Sequence, residues 1–297
     1  MFPFGKRSKS RFSGYFVNRL VHRGEKSLVF EGSGKKTARK VAIKLYTRAY
    51  DKAAARMERK YDIPPEKKVG LELNPAERED SSEVPIAATI GGGREYDKRR
   101  GARYIVQEFV DGVSLKHLIA CEDPLVAKNL GSFVFQCCRA LRKVHKKGYV
   151  YRDFCTDNLL ILRPDRLKLI DLGFVAPSGV AYEERSGTPT YMSPEQIQGK
   201  KLGPPTDIYS LGIVIYEMLT GSPPFVSDQI GENTTAVEKR SAQLMRQHLE
   251  KSVPPLPEET RQQNRILAGI LPRCLAKNPA HRYDRIDELI GELVRSR

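Results

Sequence analysis

Several absences narrow what this chain can be. Its longest apolar stretch, Ile208 to Leu219, is interrupted by Tyr, Ser and Glu and falls short of the roughly 30 Å hydrocarbon core of a bilayer, so no membrane span is expected. No apolar segment follows the basic N-terminus, and no secretory leader is expected either. The five cysteines are odd in number and unpatterned, with Cys137 and Cys138 adjacent, which argues against a disulfide framework or a metal clamp and for reduced thiols in a cytoplasmic setting. Acidic residues are scarce at the start: residues 1–40 hold eleven Lys or Arg against Glu25 and Glu31, within a formal net charge of +15. A basic arm over residues 1–13 can meet an anionic partner. No aromatic interleaving or nucleic-acid motif accompanies the charge, so nucleic acid is not expected, and a solvated solubilising face is the favoured reading.

What is present begins with size and balance. At 297 residues, 40% hydrophobic and 29% charged, the chain can build one large core or two lobes sharing a cleft. The other residues are organised around Tyr151 to Gly173, YRDFCTDNLLILRPDRLKLIDLG. Leu159–Leu162 and Leu167–Ile170 read as short buried strands flanking a turn at Arg163-Pro164-Asp165. Their pairing would bring Asn158 and Asp171 to one end, with Asp153 just before. Oxygen-only ligands of this kind suit Mg²⁺, which keeps waters and bridges to phosphates. Taken alone, a polar hairpin with solvated acids fits equally well.

The stretch resembles the catalytic loop and metal motif of the eukaryotic-type (Hanks-type) serine/threonine protein kinases, H-R-D-x-x-x-x-N followed by D-F-G, written here as Tyr-Arg-Asp and Asp-Leu-Gly. Other family signatures follow in order. Val41-Ala42-Ile43-Lys44 matches V-A-I-K letter for letter, and YIVQEFVDG resembles the hinge. Gly187-Thr188-Pro189-Thr190-Tyr191-Met192-Ser193-Pro194-Glu195 resembles the stretch closing on A-P-E, and Asp207-Ile208-Tyr209-Ser210-Leu211-Gly212 resembles D-x-W-S-L-G. The phosphate-covering loop is depleted. With Val29 at the last position of G-x-G-x-x-G-x-V, His22, Gly24 and Ser27 stand at the three glycine positions.

The resemblance implies an α+β bilobal fold over nearly the whole chain: an N-lobe of about 14–108, rich in strands, and a mostly helical C-lobe of about 112–296, with the nucleotide cleft between and no room for a second domain. It implies ATP contacts at Val21, Gly24, Val29, Ala42, Lys44, Glu108 and Val110, Gln107 guarding the adenine pocket, and Gly112 letting the chain cross. It implies Asp153 as base and Mg²⁺ on Asn158 and Asp171. Glu195 should pair with Arg282, and Asp207 should start the central helix, which closes at Gly221. Leu130, Phe133, Val134, Cys137, Leu141 and Val144 recur at helical spacing as a buried stripe. For the partner of Lys44 the expectation is Glu58, in the helix-forming run 49–61, over Glu72, because Gly70 and Pro75 bracket Glu72. Residues 63–83 read as a Pro- and charge-rich excursion. Val84–Ile90 and Ala102–Phe109 read as strands joined by the loop GGGREYDKRR.

The expected activity is ATP-dependent phosphorylation of Ser or Thr in protein substrates. Arg152 is expected to pair with a phosphate at Ser178, Tyr182, Ser186 or Thr190, and Thr188 to hydrogen-bond Asp153. Two other functions stay open: a pseudokinase scaffold, suggested by the depleted loop and by Cys155 where the family places a lysine, and a small-molecule phosphotransferase. An accessible Cys155 would also permit a redox role.

Overall fold

The computed structural model describes Phe12 and residues 14–74, 85–97, 100–162, 164–228 and 234–295. The basic arm, Phe12 apart, and the 75–83 part of the Pro- and charge-rich stretch lie outside the described residues. The chain divides into two units, Met1–Asp111 and Gly112–Arg297.

The first unit is built on a five-stranded antiparallel sheet comprising β1 (Tyr15–Arg23), β2 (Ser27–Gly34), β3 (Lys40–Tyr46), β4 (Thr89–Asp97) and β5 (Arg100–Glu108), in the order β1-β2-β3-β5-β4. Side chains alternate across a strand, so Val41 and Ile43 of β3 enter a core with Phe12, Phe30, Tyr104 and Val106. Ala42 and Lys44 take the opposite face. Lys44 is held in register between Val29 of β2 and Ile105 of β5.

The glycines expected in a connecting loop lie instead within β4, where Gly91, Gly92 and Gly93 stand opposite Val106, Ile105 and Tyr104. The reason is close approach. Gly92 has φ 155°, and a Cβ there would come within 2.5 Å of the Tyr104 carbonyl oxygen. Residues 63–74 are not an excursion either. After α1 (Arg48–Tyr61) ends on Asp62 at φ 51°, the chain forms a second helix, α2 (Glu66–Leu73). Gly70 does not break it. A Cβ at that position would fall 2.1 Å from Thr89 Oγ1, so glycine is what lets α2 lie against β4.

The second unit opens with β6 (Val113–Ser114), α3 (Leu115–Ala120) and α4 (Pro124–Lys146). Asp123 caps α4 by accepting from Leu125 N, and the expected apolar stripe is buried along it. Then come β7 (Tyr149–Val150), β8 (Leu159–Leu162), β9 (Arg166–Leu169) and β10 (Ala176–Pro177). β8 and β9 form the expected hairpin, with β6 on the other edge of β8, and β7 pairs with β10. Gly112 is required here because a Cβ would meet the Ile161 carbonyl oxygen at 2.8 Å.

The helices that follow are α5 (Pro194–Ile197), α6 (Pro204–Thr220), α7 (Thr234–Glu250), α8 (Glu258–Gln263), α9 (Arg265–Cys274) and α10 (Ile286–Arg295). Every residue of α6 from Thr206 to Met218 is buried. A helix buried all round belongs at the centre of a unit, and α6 touches α4, α9 and α10. It ends on Gly221 at φ 82°, a left-handed cap that glycine adopts without steric cost.

Two buried polar ties hold this unit around α6. Arg282 grips Glu195 through both nitrogens, at 2.8 and 2.9 Å, while Thr206 Oγ1 donates to the same carboxylate at 2.9 Å. The imidazole of His248 lies between the Tyr209 hydroxyl and the Thr190 carbonyl, 2.9 Å from each. Burial, then the Lys277 charge, pushes its pKa down to about 4.

Removing one partner of a buried ion pair strands the other, so Arg282→Ala should cost about 3–5 kcal/mol in urea unfolding. The His248 effect has a definite sign. Its folded-state pKa lies below the usual 6.5, so the unfolded chain takes up the proton first, and stability present above pH 6.5 drains away as pH falls toward 4. A His248→Gln chain should lose about 3 kcal/mol less than wild type across that window.

Candidate active site

The first unit supplies a cation on a rigid strand. Lys44 is 8% exposed, and its ammonium lies 3.4 Å from Glu66 Oε1 and over the ring of Tyr46, whose hydroxyl also donates to Glu66. Glu66 opens α2, where a carboxylate is favoured by the unpaired N–H groups of the first turn. This corrects the expected partner. Glu58 is bound by Arg103 of β5, which also takes Asp51 at 2.8 Å. A signal was available in the sequence: Pro64-Pro65 directly before Glu66 marks a helix start.

The loop between β1 and β2 closes with Gly24 N donating to Ser27 O at 3.0 Å. Val21 and Val29 lie on β1 and β2, and Ala42 on β3. At the end of β5 the Glu108 N–H is committed to the Ala88 carbonyl at 2.8 Å, so a contact from Glu108 to a nucleotide base would fall to its carbonyl. Val110 follows β5, and Gln107 is buried within it.

In the second unit the loop that begins at Tyr151 is fixed from beneath. Asp207, fully buried, accepts from Tyr151 N at 2.8 Å, Arg152 N at 2.9 Å and the His145 ring at 2.8 Å. Arg152 is held at φ 71° and Asp171 at φ 61°, left-handed conformations that non-glycine residues rarely keep without surrounding support. The hydroxyl of Tyr151 supplies some of that support, since it lies 2.6 and 2.7 Å from the carbonyls of Ile170 and Asp171.

Asp153 receives two donors from one residue: Thr188 N and Thr188 Oγ1 both donate to its Oδ1 at 2.8 Å. Asn158 Nδ2 donates to the Asp153 backbone carbonyl at 3.0 Å and to Oδ2 at 3.3 Å. That orientation turns the Asn158 amide oxygen away as an acceptor. Asp171 Oδ1 accepts from Gly173 N at 3.0 Å, and Ile170 N donates to the Asn158 carbonyl at 2.9 Å, which ties the two residues to one end of the β8–β9 hairpin. No group of three or more His, Cys, Asp or Glu among the described residues could hold a metal alone. Asn158 and Asp171 fit a hard cation only as a partial oxygen set completed by phosphate and water, the manner in which Mg²⁺ is held.

The residues after Asp171 alter two expectations. Tyr182 is 2% exposed, and its hydroxyl donates to the Pro177 carbonyl at 2.8 Å, so it is withdrawn as a phosphate acceptor. Arg152 covers its ring at 4.2 Å. Ser178, Ser186 and Thr190 remain half-exposed. Cys155 is buried, and burial followed by the charge of Asp153 pushes its thiol well up, contrary to the accessible, readily ionised thiol that a redox role needs. Lys116 of α3 is an adjacent cation, and it donates to Asp157 at 2.8 Å.

One cluster carried no signature in the sequence. Thr156 Oγ1 and the Tyr191 hydroxyl lie 2.7 Å apart, and that hydroxyl donates to Glu217 at 2.7 Å. This buried chain links the catalytic loop, the segment before α5, and α6. Burial raises the pKa of both Glu217 and Tyr191.

Residues 15–292 match the protein kinase domain family. The chain belongs to the protein kinase family. Its N-terminal sheet unit and helical C-terminal unit are those of the protein kinase fold. Among curated relatives of this kinase chain, "Serine/threonine-protein kinase PknB" of Mycobacterium tuberculosis (strain H37Rv) is 34% identical over 200 residues, covering 65% of this chain and 30% of its own length. A "Probable serine/threonine-protein kinase" of Clostridium acetobutylicum is 32% identical over 194 residues, covering 64% and 28%. The kinase chain thus spans about 30% of the length of the relatives it matches.

The ion pairs of the first unit separate three glutamates by experiment. In this kinase chain Glu66→Gln should lower ATP-dependent phosphoryl transfer about tenfold or more by loosening Lys44. Glu72→Gln should leave it near wild type. Glu58→Gln should chiefly lower the melting temperature, through the loss of its bond to Arg103.

Proposed function

We propose that this chain transfers the γ-phosphoryl group of ATP to serine or threonine hydroxyls of protein substrates. The observation that carries the proposal is the setting of Asp153, whose Oδ1 takes both donors of Thr188 while Oδ2 takes Asn158. A carboxylate fixed on both oxygens can orient a hydroxyl and accept its proton as the oxygen–phosphorus bond forms and the bond to the β-phosphate oxygen breaks, releasing ADP. The Thr188 hydroxyl bonded to Asp153 supports Ser and Thr as the acceptors.

Lys44, steadied by Glu66, would hold phosphate oxygens, and Asn158 and Asp171 would hold Mg²⁺. When bound, the metal supplies charge neutralisation at the β- and γ-phosphate oxygens. The relatives' names carry Ser/Thr specificity for those proteins, and we extend it to this chain. A cytoplasmic setting is supported by five free cysteines and is compatible with the observation that no helix of the described residues is long and apolar enough to cross a membrane.

A second reading, a nucleotide-binding scaffold without transfer, is favoured by one observation. Cys155, buried and neutral, stands where the family resemblance places a lysine, and a thiol supplies no cation to the transferring group.

Incubation with labelled ATP, Mg²⁺ and a generic Ser/Thr protein substrate decides between the two. Transfer by wild type, reduced about 10²–10⁴-fold in Asp153→Asn and lost in Lys44→Met and Asp171→Ala, is the outcome expected. Cys155→Lys should raise kcat. Nucleotide binding with no transfer by wild type, together with transfer gained in Cys155→Lys, would instead support the scaffold.

A further inference from the structure

A cavity of about 390 Å³ opens away from the catalytic loop, lined by Glu195, Gln198, Lys200, Leu249, Lys277 and Asn278 among others. Its walls are α5 with the residues just after it, the end of α7, and the loop following α9. The size is at the low end for small-ligand pockets.

The charges around it do not balance. Glu195 is spent: Arg282 takes both its oxygens and Thr206 takes one again. Lys277 faces no carboxylate. It gives one proton to the His248 carbonyl at 2.8 Å and lies over the Phe225 ring at 4.6 Å, and its other two protons have no acceptor among the described residues. Lys200, exposed at the rim, has no ion-pair partner among the described residues. The charged and titratable groups near Lys277 are Arg282, Lys200, the spent Glu195 and the His248 ring, which is neutral near pH 7. Burial and then the Arg282 charge push the pKa of Lys277 down to about 8. A half-buried ammonium with a neighbouring cation beside an open cavity is a setting suited to an anion's oxygens.

We propose that this cavity is an oxyanion site, taking inorganic phosphate or a small phosphate monoester between Lys277 and Lys200. The bound oxygens would occupy the two unused Lys277 protons, and the anion would offset the repulsion from Arg282. The site adjoins the segment closing on α5, since the His248 residue that holds Lys277 by its carbonyl holds Thr190 by its ring.

The test reads binding and ionisation rather than turnover, so it stands apart from the phosphotransfer proposal. In the full chain carrying Lys44→Met, to remove phosphate binding on β3, inorganic phosphate is titrated while the Lys277 side-chain resonance, assigned by its loss in Lys277→Met, is followed by NMR. Saturable binding that raises the Lys277 pKa from about 8 toward its usual value is expected. Affinity should fall about tenfold or more in Lys277→Met and in Lys200→Met, while Lys277→Arg, which keeps the charge, should hold affinity within a few-fold. Competition by glycerol 2-phosphate would identify a monoester as an acceptable ligand, and its failure would restrict the site to the free ion. A Lys277 resonance indifferent to phosphate, an equal response to acetate, or undiminished binding in both methionine variants would overturn the proposal.

Discussion

Much of the second unit depends on one buried carboxylate. Asp207, with no exposed surface, receives two backbone N–H groups and one imidazole. A buried carboxylate without donors would be costly, so the loop from Tyr151 must come to it, and the arrangement places Arg152 in a left-handed conformation. Asp153 is the next residue. The aim of the proposed base is thus set by a residue of α6 more than fifty positions later in the chain. The buried Tyr151 reaches on, through its hydroxyl, to the carbonyls of Ile170 and Asp171. One helix start therefore positions both acidic residues of the proposed chemistry.

How much of this was legible in the sequence follows from how local each cause is. The β8–β9 hairpin, the buried stripe of α4 and the Gly221 cap of α6 arise from periodicity and turn residues that lie next to one another, and all could be read. The Lys44 partner could not be read from helix propensity, because α1 and α2 both contain good helix formers and the choice is made by tertiary contacts. Arg103 of β5 draws Glu58 to itself, and the fit of Gly70 against Thr89 puts α2 where Glu66 meets Lys44. Gly70 was misleading for a related reason, since sequence patterns count glycine as a breaker while close packing demands it. The glycines of β4 repeat the lesson on a strand.

Cys155 and Thr156 are neighbours with linked settings. The Thr156 hydroxyl joins Tyr191 and Glu217 in a buried chain, and beside it Cys155 is buried as an uncharged thiol near Asp153. Buried polar networks rigidify when every member is satisfied. In this one each hydroxyl has a partner, and Glu217 is pushed toward its neutral form by the same burial. The catalytic loop is thus fastened to α6 twice, through Asp207 at its start and through Glu217 near its end.

The position of Glu66 at the first residue of α2 has a dynamic corollary. Pro65, which precedes it, offers no side-chain cap, and an uncapped first turn is the part of a helix that opens most readily, independently of the remainder. Glu66 is itself buried, as are Val69, Gly70 and Leu73, so what holds the first turn is the bonding of its carboxylate to Lys44 and Tyr46. Breaking those bonds would free a single turn to fray while the helix body stays seated on the sheet. Separating Lys44 from Glu66 would then need only local melting of that turn rather than displacement of a whole element.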